Sequence, residues 1–128
     1  LKDHFPAWRP CWSVMVNGHT LIKHRWKGGK YATANNTLNA GVSMITGHLH
    51  SLKCWTMTDE RGTRYGVDTG CIADPGGAQF VNYREDGPNE WRSGFAVLTM
   101  YKGRLLMPEL VMVSGENEVE FRGTVVSV

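Results

Sequence analysis

The chain has 128 residues, of which 41% are hydrophobic and 20% charged, and its formal net charge at pH 7 is +2. These values are typical of one globular domain. They argue against a membrane span, because no apolar run approaches the ~20 residues required, and the first residues lack the apolar core of a signal peptide.

The charge is unevenly distributed along the chain. Residues 1–58 contain seven basic residues and one acidic residue, a net charge of +6, whereas residues 59–128 contain seven basic and eleven acidic residues, a net charge of −4. All five histidines lie in the basic half. A positive, histidine-bearing surface favours an anionic substrate such as a phosphate ester, although the same charges could simply be solvated.

The first predicted element is a β-hairpin that ends in a histidine. Residues 12–16 alternate apolar and polar side chains, Asn17 and Gly18 form a strong turn signal, and the apolar pattern resumes up to His24. A basic, glycine-containing loop follows at residues 25–30. The one predicted helix covers residues 32–40, with Thr33, Asn35 or Asn36 as a capping residue and Gly41 as its end.

After the helix, an apolar run predicts a buried strand that ends at Thr46, directly before the sequence Gly-His-Leu-His. The remainder is predicted to be mostly β, with a polar loop at 73–88 and with Pro108 at an edge or bulge. The predicted strands cover residues 53–58, 63–67, 95–101 and 105–113, with further alternation over 118–128.

Three cysteines, Cys11, Cys54 and Cys71, are odd in number and form no CxxC pair. A disulfide framework is therefore not expected, and the sequence favours a reducing cytoplasm. Cys54 and Cys71 fall in strand-like segments, where we expect buried and unreactive thiols.

Three histidines lie at predicted strand ends, namely His24, His48 and His50. In a parallel β-α-β unit the carboxyl ends of both strands open onto the same edge of the sheet, so these imidazoles are expected to lie together there. Imidazole nitrogen suits zinc, iron, manganese or nickel, and the sequence therefore predicts a metal site. His19, in the hairpin turn, and His4 are weaker candidates.

The sequence contains no Asp-x-His and no Gly-Asn-His, and Asp68 and Asp74 are uncommitted loop acids. Three histidines could hold a single zinc ion, or they could form the nitrogen side of a larger site whose oxygen ligands come from elsewhere. Because the chain begins with Leu1 rather than Met, we expect a processed or truncated product that carries part of such a site.

The order of these features resembles the second half of the calcineurin-like metallophosphoesterases, and more closely their phage and phage-like members. The resemblance covers about residues 12–113 and rests on four segments: KHRWKGG at 23–29, TGHLHS at 46–51, GTRYGVDTG at 62–70 and WRSGF at 91–95. It implies an α/β fold, the second half of a four-layer α/β/β/α sandwich, mostly β with one or two helices. Residues 1–128 would form a single domain or half-domain without the N-terminal metal-binding part.

The resemblance also implies two divalent metal ions, Mn, Zn, Fe or Ni, at the carboxyl ends of the central strands. His24 and His48 match ligands of the second ion, and His50 matches a ligand of the first. Arg25 and His48 are the candidate catalytic residues, and Arg25, Lys27 and Lys30 are the candidate substrate-binding residues. The expected location is the cytoplasm, or the host cytoplasm if the gene is carried by a phage.

The implied activity is hydrolysis of phosphomonoesters or phosphodiesters by a metal-activated water, with the isolated chain expected to be inactive. One alternative is a nuclease of the repair type that acts on nucleic acid. Another is a noncatalytic β-rich module whose histidines hold one structural metal or none.

Two further groups of residues have alternative interpretations. Asp68 is expected to cap the turn at residues 69 and 70, or less simply to orient a metal-binding histidine. The aromatic rings of Trp26, Trp55 and Trp91 could stack on a nucleobase, but we expect them to belong to the core.

Overall fold

The computed structural model describes residues 3–78, 80 and 90–128. Across these ranges the chain forms one helix and eleven strands, distributed over three sheets. In chain order they are β1 (Ser13–Val16), β2 (Thr20–Lys23), α1 (Ala32–Ala40), β3 (Ser43–Thr46), β4 (Lys53–Asp59), β5 (Gly62–Asp68), β6 (Gly94–Val97), β7 (Met100–Tyr101), β8 (Arg104–Leu105), β9 (Glu109–Gly115), β10 (Glu118–Phe121) and β11 (Thr124–Ser127).

The largest sheet is mixed and has the order β1-β2-β3-β5-β4. Strands β2, β3 and β5 are parallel to one another, while β1 and β4 pair antiparallel at the two edges. Helix α1 connects β2 to β3, so the predicted parallel β-α-β unit is confirmed. The predicted hairpin is confirmed too, because Asn17 and Gly18 adopt the positive φ angles of 51° and 70° that its tight turn requires.

Helix α1 has the predicted bounds, and it ends where Gly41 adopts φ 69° and donates its N–H to the carbonyl oxygen of Thr37 at 3.0 Å. The predicted capping residue is wrong. Tyr31 occupies the N-cap position without a side-chain hydrogen bond, and the three candidates lie inside the helix. The amide of Asn36 is used elsewhere, because it donates to the carbonyl oxygen of Lys27 at 2.9 Å and anchors the basic loop.

The core lies where β3 and β5 pack against α1. All four residues of β3 are buried, and Val67 of β5 is fully buried beside them. The helix contributes Ala32, which is 1% exposed, and Thr37, whose hydroxyl donates to the Thr33 carbonyl oxygen at 2.9 Å. The strands that end in the candidate histidines are thus set in a rigid part of the molecule.

The second sheet is antiparallel, with the order β11-β10-β9-β6, and β7 and β8 form a separate small hairpin. The predicted pairing of 95–101 with 105–113 is therefore present but interrupted, since β6 pairs with β9 and β7 with β8. Pro108 lies at the interruption, as expected of a residue that has no N–H to donate. A parallel bridge between Cys71 and Ser93 joins the end of the first sheet to the start of β6.

The described residues thus form a mostly β structure with mixed and antiparallel sheets and one helix. Residues 79 and 81–88 of the predicted polar loop lie outside the described ranges. Within those ranges, no helix has the length and apolar character needed to cross a membrane.

Candidate metal centre

His24 and His48 meet at the carboxyl edge of the parallel strands. His24 follows the last residue of β2, and His48 follows β3 by two residues. The carbonyl oxygen of His24 accepts hydrogen bonds from the N–H groups of both Gly47 and His48, each at 3.0 Å. The two exposed imidazole rings lie edge to face, with centroids 5.2 Å apart and planes at 73°. Of the three predicted ligands, the structure brings these two into contact.

Gly47, directly before His48, lies close to the loop after β5. A Cβ at Gly47 would lie 3.2 Å from the hydroxyl oxygen of Thr69, which is tighter than ordinary van der Waals contact. Thr69 in turn donates its N–H to the carbonyl oxygen of Thr46 at 2.8 Å, so the loop after β5 lies directly against the loop after β3. A side chain at residue 47 would therefore require the Thr69 side chain to move by a few tenths of an ångström.

His50 lies apart from this pair. Its backbone has φ 59°, in the left-handed region that costs a residue with a side chain roughly 1–2 kcal/mol. Its half-buried ring packs edge to face on Trp91, with centroids 4.8 Å apart. The Nδ1 atom of His50 is buried and has no hydrogen-bond partner among the described residues. Because buried polar atoms are nearly always partnered, this nitrogen suits a role as a ligand.

Asp68 lies at the end of β5, beside these loops, and is completely buried. Its carboxylate accepts a hydrogen bond from the Ser51 hydroxyl at 3.1 Å and another from the Gly70 N–H at 3.3 Å. Burial raises the pKa of Asp68, although these hydrogen bonds and the nearby His50 act in the opposite direction. The predicted turn cap is present, because the carboxylate bonds to the N–H of Gly70.

No three donor side chains gather at one point in the part of the chain that the structure describes. In those ranges, no group of three or more His, Cys, Asp or Glu side chains is placed to hold a metal ion. His24 and His48 form a pair, and His50 faces Trp91 instead. The geometry thus presents a pair of imidazoles and a separate third one, rather than one three-histidine cluster.

His19 is far from this pair. It directly precedes β2, while His24 directly follows that strand, so the two lie roughly 16 Å apart at about 3.3 Å per residue. His19 shares a cavity of about 370 Å³ with Arg61 and Arg104 at the opposite end of the sheet. Of the two histidines that flank β2, only His24 can reach His48.

The basic loop after β2 is open to solvent. Arg25, Lys27 and Lys30 are all exposed, and Trp26 between them is 41% exposed. The prediction that Trp26 belongs to the core is wrong, because the loop extends beyond the sheet edge and Trp26 contacts the Lys23 ammonium, 5.2 Å from the ring centroid. Trp55 and Trp91 are half-buried, the latter between His50 and Phe80.

A groove of about 430 Å³ lies between the start of α1 and β4. Its lining includes Lys30, Tyr31, Lys53 and Trp55, and residue Lys53 pairs with Asp68 at the histidine edge of the sheet. Lys53 also forms an ion pair with Glu90, and their hydrogen bond lowers the pKa of that carboxyl group. Sequence reasoning did not identify this groove, since its residues come from three separate segments.

The thiols show no sign of a chemical role. Cys54 is half-buried in β4, and burial raises the pKa of its thiol, which keeps it protonated and unreactive. Cys71 is half-buried at the bridge between the sheets, and its sulfur lies 3.6 Å from the carbonyl oxygens of Ala73 and Arg92. Both are less buried than expected.

Comparison with known proteins does not assign the chain to a family: no protein-family model, curated protein or solved structure gives a significant match.

Proposed function

We propose that this chain supplies the histidine ligands of a two-metal centre that hydrolyses phosphate esters. The observation that supports this most directly is the contact between His24 and His48 at the carboxyl ends of two adjacent parallel strands. Open α/β sheets bind their ligands at this edge. The buried Nδ1 of His50 in the same loop, which has no hydrogen-bond partner among the described residues, adds a third candidate donor.

The spacing of the two rings is compatible with a shared ion. A metal ion about 2.0–2.1 Å from an imidazole nitrogen lies about 3.2 Å from that ring's centroid, so two rings on one ion have centroids about 4.5–5.2 Å apart for angles between octahedral and tetrahedral. The observed separation of His24 and His48 is 5.2 Å. The separation thus lies at the tetrahedral end of this range, and both backbones are held by the hydrogen bonds to the His24 carbonyl oxygen.

The proposed roles follow from position. When bound, a pair of divalent ions lowers the pKa of a bridging water and polarises the phosphoryl oxygens. His24 and His48 would hold one ion and His50 the other. Arg25, directly after His24 and exposed, would neutralise charge on the phosphate, while Lys27 and Lys30 would contact groups that flank it.

Carboxylates normally complete such a centre, because they bridge the ions and balance their charge. In the described ranges no carboxylate joins His24 and His48. We therefore expect the 128-residue chain alone to bind metal through its histidines but not to hydrolyse phosphate esters. Hydrolysis is to be measured on the product of the complete coding sequence.

The test combines metal content with hydrolysis of an aryl phosphate. In that product we expect two ions per chain and metal-dependent hydrolysis, both reduced by His48→Ala combined with His50→Ala. His19→Ala is the matched control, because His19 is exposed like His48 but lies at the other end of β2. If the double variant retained wild-type metal content and hydrolysis, the assignment would be wrong. One tightly held ion without hydrolysis would instead support a noncatalytic metal-binding module.

A nucleic-acid substrate is the second candidate, and a specific observation favours it. Trp26 is exposed in a loop that also presents Arg25, Lys27 and Lys30. An exposed aromatic ring among cations is the combination that binds single-stranded nucleic acid, with stacking on the base and ion pairing with the backbone. Faster hydrolysis of an oligonucleotide than of a small aryl phosphate would favour this nuclease hypothesis.

A further inference from the structure

His50 has an unusual backbone for a residue with a side chain. Its φ angle of 59° directs the imidazole away from the course that an extended strand would give it. Residues rarely remain in this conformation unless the surrounding structure holds them there, and such positions often serve a function. The contacts around His50 therefore indicate what determines the direction of its ring.

The chain directly after the His50 Cα is held by hydrogen bonds to two distant residues, Arg92 and Asp68. The carbonyl oxygen of His50 accepts a hydrogen bond from the Arg92 N–H at 2.8 Å. The next residue, Ser51, is 6% exposed and donates its hydroxyl to Asp68 at 3.1 Å. The His50 side chain itself packs on Trp91, with the two ring centroids 4.8 Å apart.

Asp68 is itself rigidly held. It is fully buried, it is the last residue of the parallel strand next to β3, and it accepts the N–H of Gly70. Gly70 has φ 72°, and a Cβ there would lie 2.8 Å from the carbonyl oxygen of Arg92. Arg92 therefore connects the two loops, since its carbonyl oxygen lies against Gly70, whose N–H Asp68 accepts, and its own N–H donates to the carbonyl oxygen of His50.

We propose that Asp68 and Ser51 are positioning residues for His50: the buried carboxylate holds the Ser51 hydroxyl, and this contact fixes the left-handed backbone that directs the His50 imidazole. Asp68 acts on the main chain beside the histidine, and no hydrogen bond joins its carboxylate to the imidazole among the described residues. The proposal rests on the proposed function for the identity of what His50 binds, namely a divalent metal ion.

A purely structural role for the same contacts makes a different prediction. If Asp68 and Ser51 only stabilise the fold, a substitution there would lower stability and leave the imidazole where it is. If they position His50, the substitution changes the ring's environment and weakens metal binding at His50 more than at His24 and His48. The His24–His48 pair therefore serves as an internal reference for His50 in the same molecule.

The test uses Ser51→Ala, with Ser43→Ala as the matched control. Ser43 is also a buried serine of this sheet, 4% exposed, and its hydroxyl oxygen accepts one hydrogen bond, from the Tyr65 N–H. Histidine side-chain NMR signals of the ¹⁵N-labelled chain are recorded first without metal and then during a titration with zinc. Thermal melting confirms that each variant is folded.

In Ser51→Ala we expect the His50 signals to shift or broaden without metal, while those of His24 and His48 stay in place. The zinc affinity reported by His50 is expected to fall about 10- to 100-fold, the usual effect of losing a group that orients a metal ligand. Asp68→Ala, which removes the acceptor of the Ser51 hydroxyl, is expected to do the same. Ser43→Ala should leave all three histidines unchanged.

Wild-type His50 signals and wild-type zinc affinity in folded Ser51→Ala would overturn the proposal. If the serine variant does not fold, the same result in folded Asp68→Ala would overturn it. Failure of the proposed function has a different signature. In that case zinc leaves the wild-type His50 signals unchanged, while Ser51→Ala still displaces them.

Discussion

Gly66 of β5 lies directly against the carbonyl group of Thr33 in α1, and a Cβ at Gly66 would overlap both that carbonyl oxygen and the hydroxyl of Thr37. The backbone of α1 therefore packs directly against the backbone of β5 at this point. This close contact holds the crossover helix between β2 and β3, the two strands that His24 and His48 follow.

Gly66→Ala is expected to destabilise the protein strongly. The obstacle to the new methyl group is backbone, which cannot rotate away, so the cost should reach about 3 kcal/mol, the upper end of the range for overpacked cores. For a domain of this size that corresponds to a decrease in Tm of about 10 °C. Thermal and urea denaturation measure the effect.

Gly28→Ala is the matched control, because the nearest atom to its Cβ is a Leu49 methyl carbon at 3.8 Å, an ordinary contact. Its free energy of unfolding should stay within about 0.5 kcal/mol of wild type. Equal stability of the two variants would show that α1 can move off the sheet.

Zinc is expected to raise the Tm of the chain through His24 and His48. A ligand that binds only the folded state at 100 times its Kd contributes about 2.7 kcal/mol of stability. His24→Ala should abolish most of this increase, and His19→Ala should retain it, since His19 lies at the other end of β2. An equal loss in both variants would indicate nonspecific zinc binding, and differential scanning fluorimetry distinguishes these results.

Replacing Arg25, Lys27 and Lys30 together with Gln is expected to weaken binding of a single-stranded oligonucleotide. If each cation contacts one phosphate, the slope of log K against log salt should become shallower by about 2. Lys102 and Arg104 are two exposed cations of the β7–β8 hairpin, and replacing both with Gln should change this slope little. Fluorescence anisotropy at several salt concentrations measures both, and an unchanged slope in the triple variant would exclude the loop as a nucleic-acid contact.

Asp59 is expected to make stability depend on acid pH. Partial burial opposes ionisation, but hydrogen bonds from the Arg61 N–H and the Arg64 guanidinium outweigh it and lower the pKa of Asp59. A carboxyl group with a lowered pKa stabilises the fold above its unfolded value of about 3.9, and this contribution is lost as the pH falls through the folded value. Asp59→Asn should therefore be less stable than wild type at pH 7, and the difference should shrink below about pH 4.

Urea midpoints across this pH range measure the effect. Glu60→Gln, an exposed acid of the same turn, is the control and should show no comparable difference. If the difference in the free energy of unfolding between Asp59→Asn and wild type stayed constant down to pH 3, the stabilising role of the ionised Asp59 carboxylate would be contradicted.

Secondary structure was largely predictable from sequence where local chemistry decides it. Asn17-Gly18 specifies its turn by tolerating positive φ, and Gly41 ends α1 for the same reason. The capping residue was not predictable, because Asn36 has a tertiary partner, the Lys27 carbonyl, that competes with any role at the helix start. Trp26 was wrongly predicted to belong to the core. Whether other residues cover its loop depends on how far the sheet extends, and local sequence does not specify this.

The site was predictable in part. Strand-end positions and parallel pairing correctly brought His24 and His48 together, since both follow from the order of elements. The direction of His50 depends on a left-handed backbone held by Asp68 and Arg92, residues distant in sequence. Ser51 and Trp91 lay within the segments that carried the family resemblance, but no local pattern links them to His50.

The two hydrogen bonds accepted by the His24 carbonyl oxygen have a consequence for dynamics. These hydrogen bonds join the end of β2 to the residues after β3, with all of α1 in the chain between them. We expect the amide protons of Gly47 and His48 to exchange with solvent when this junction opens. An ion held by both imidazoles would oppose that opening. Hydrogen exchange at these two amides should therefore report metal occupancy directly, with slower exchange as the metal concentration rises.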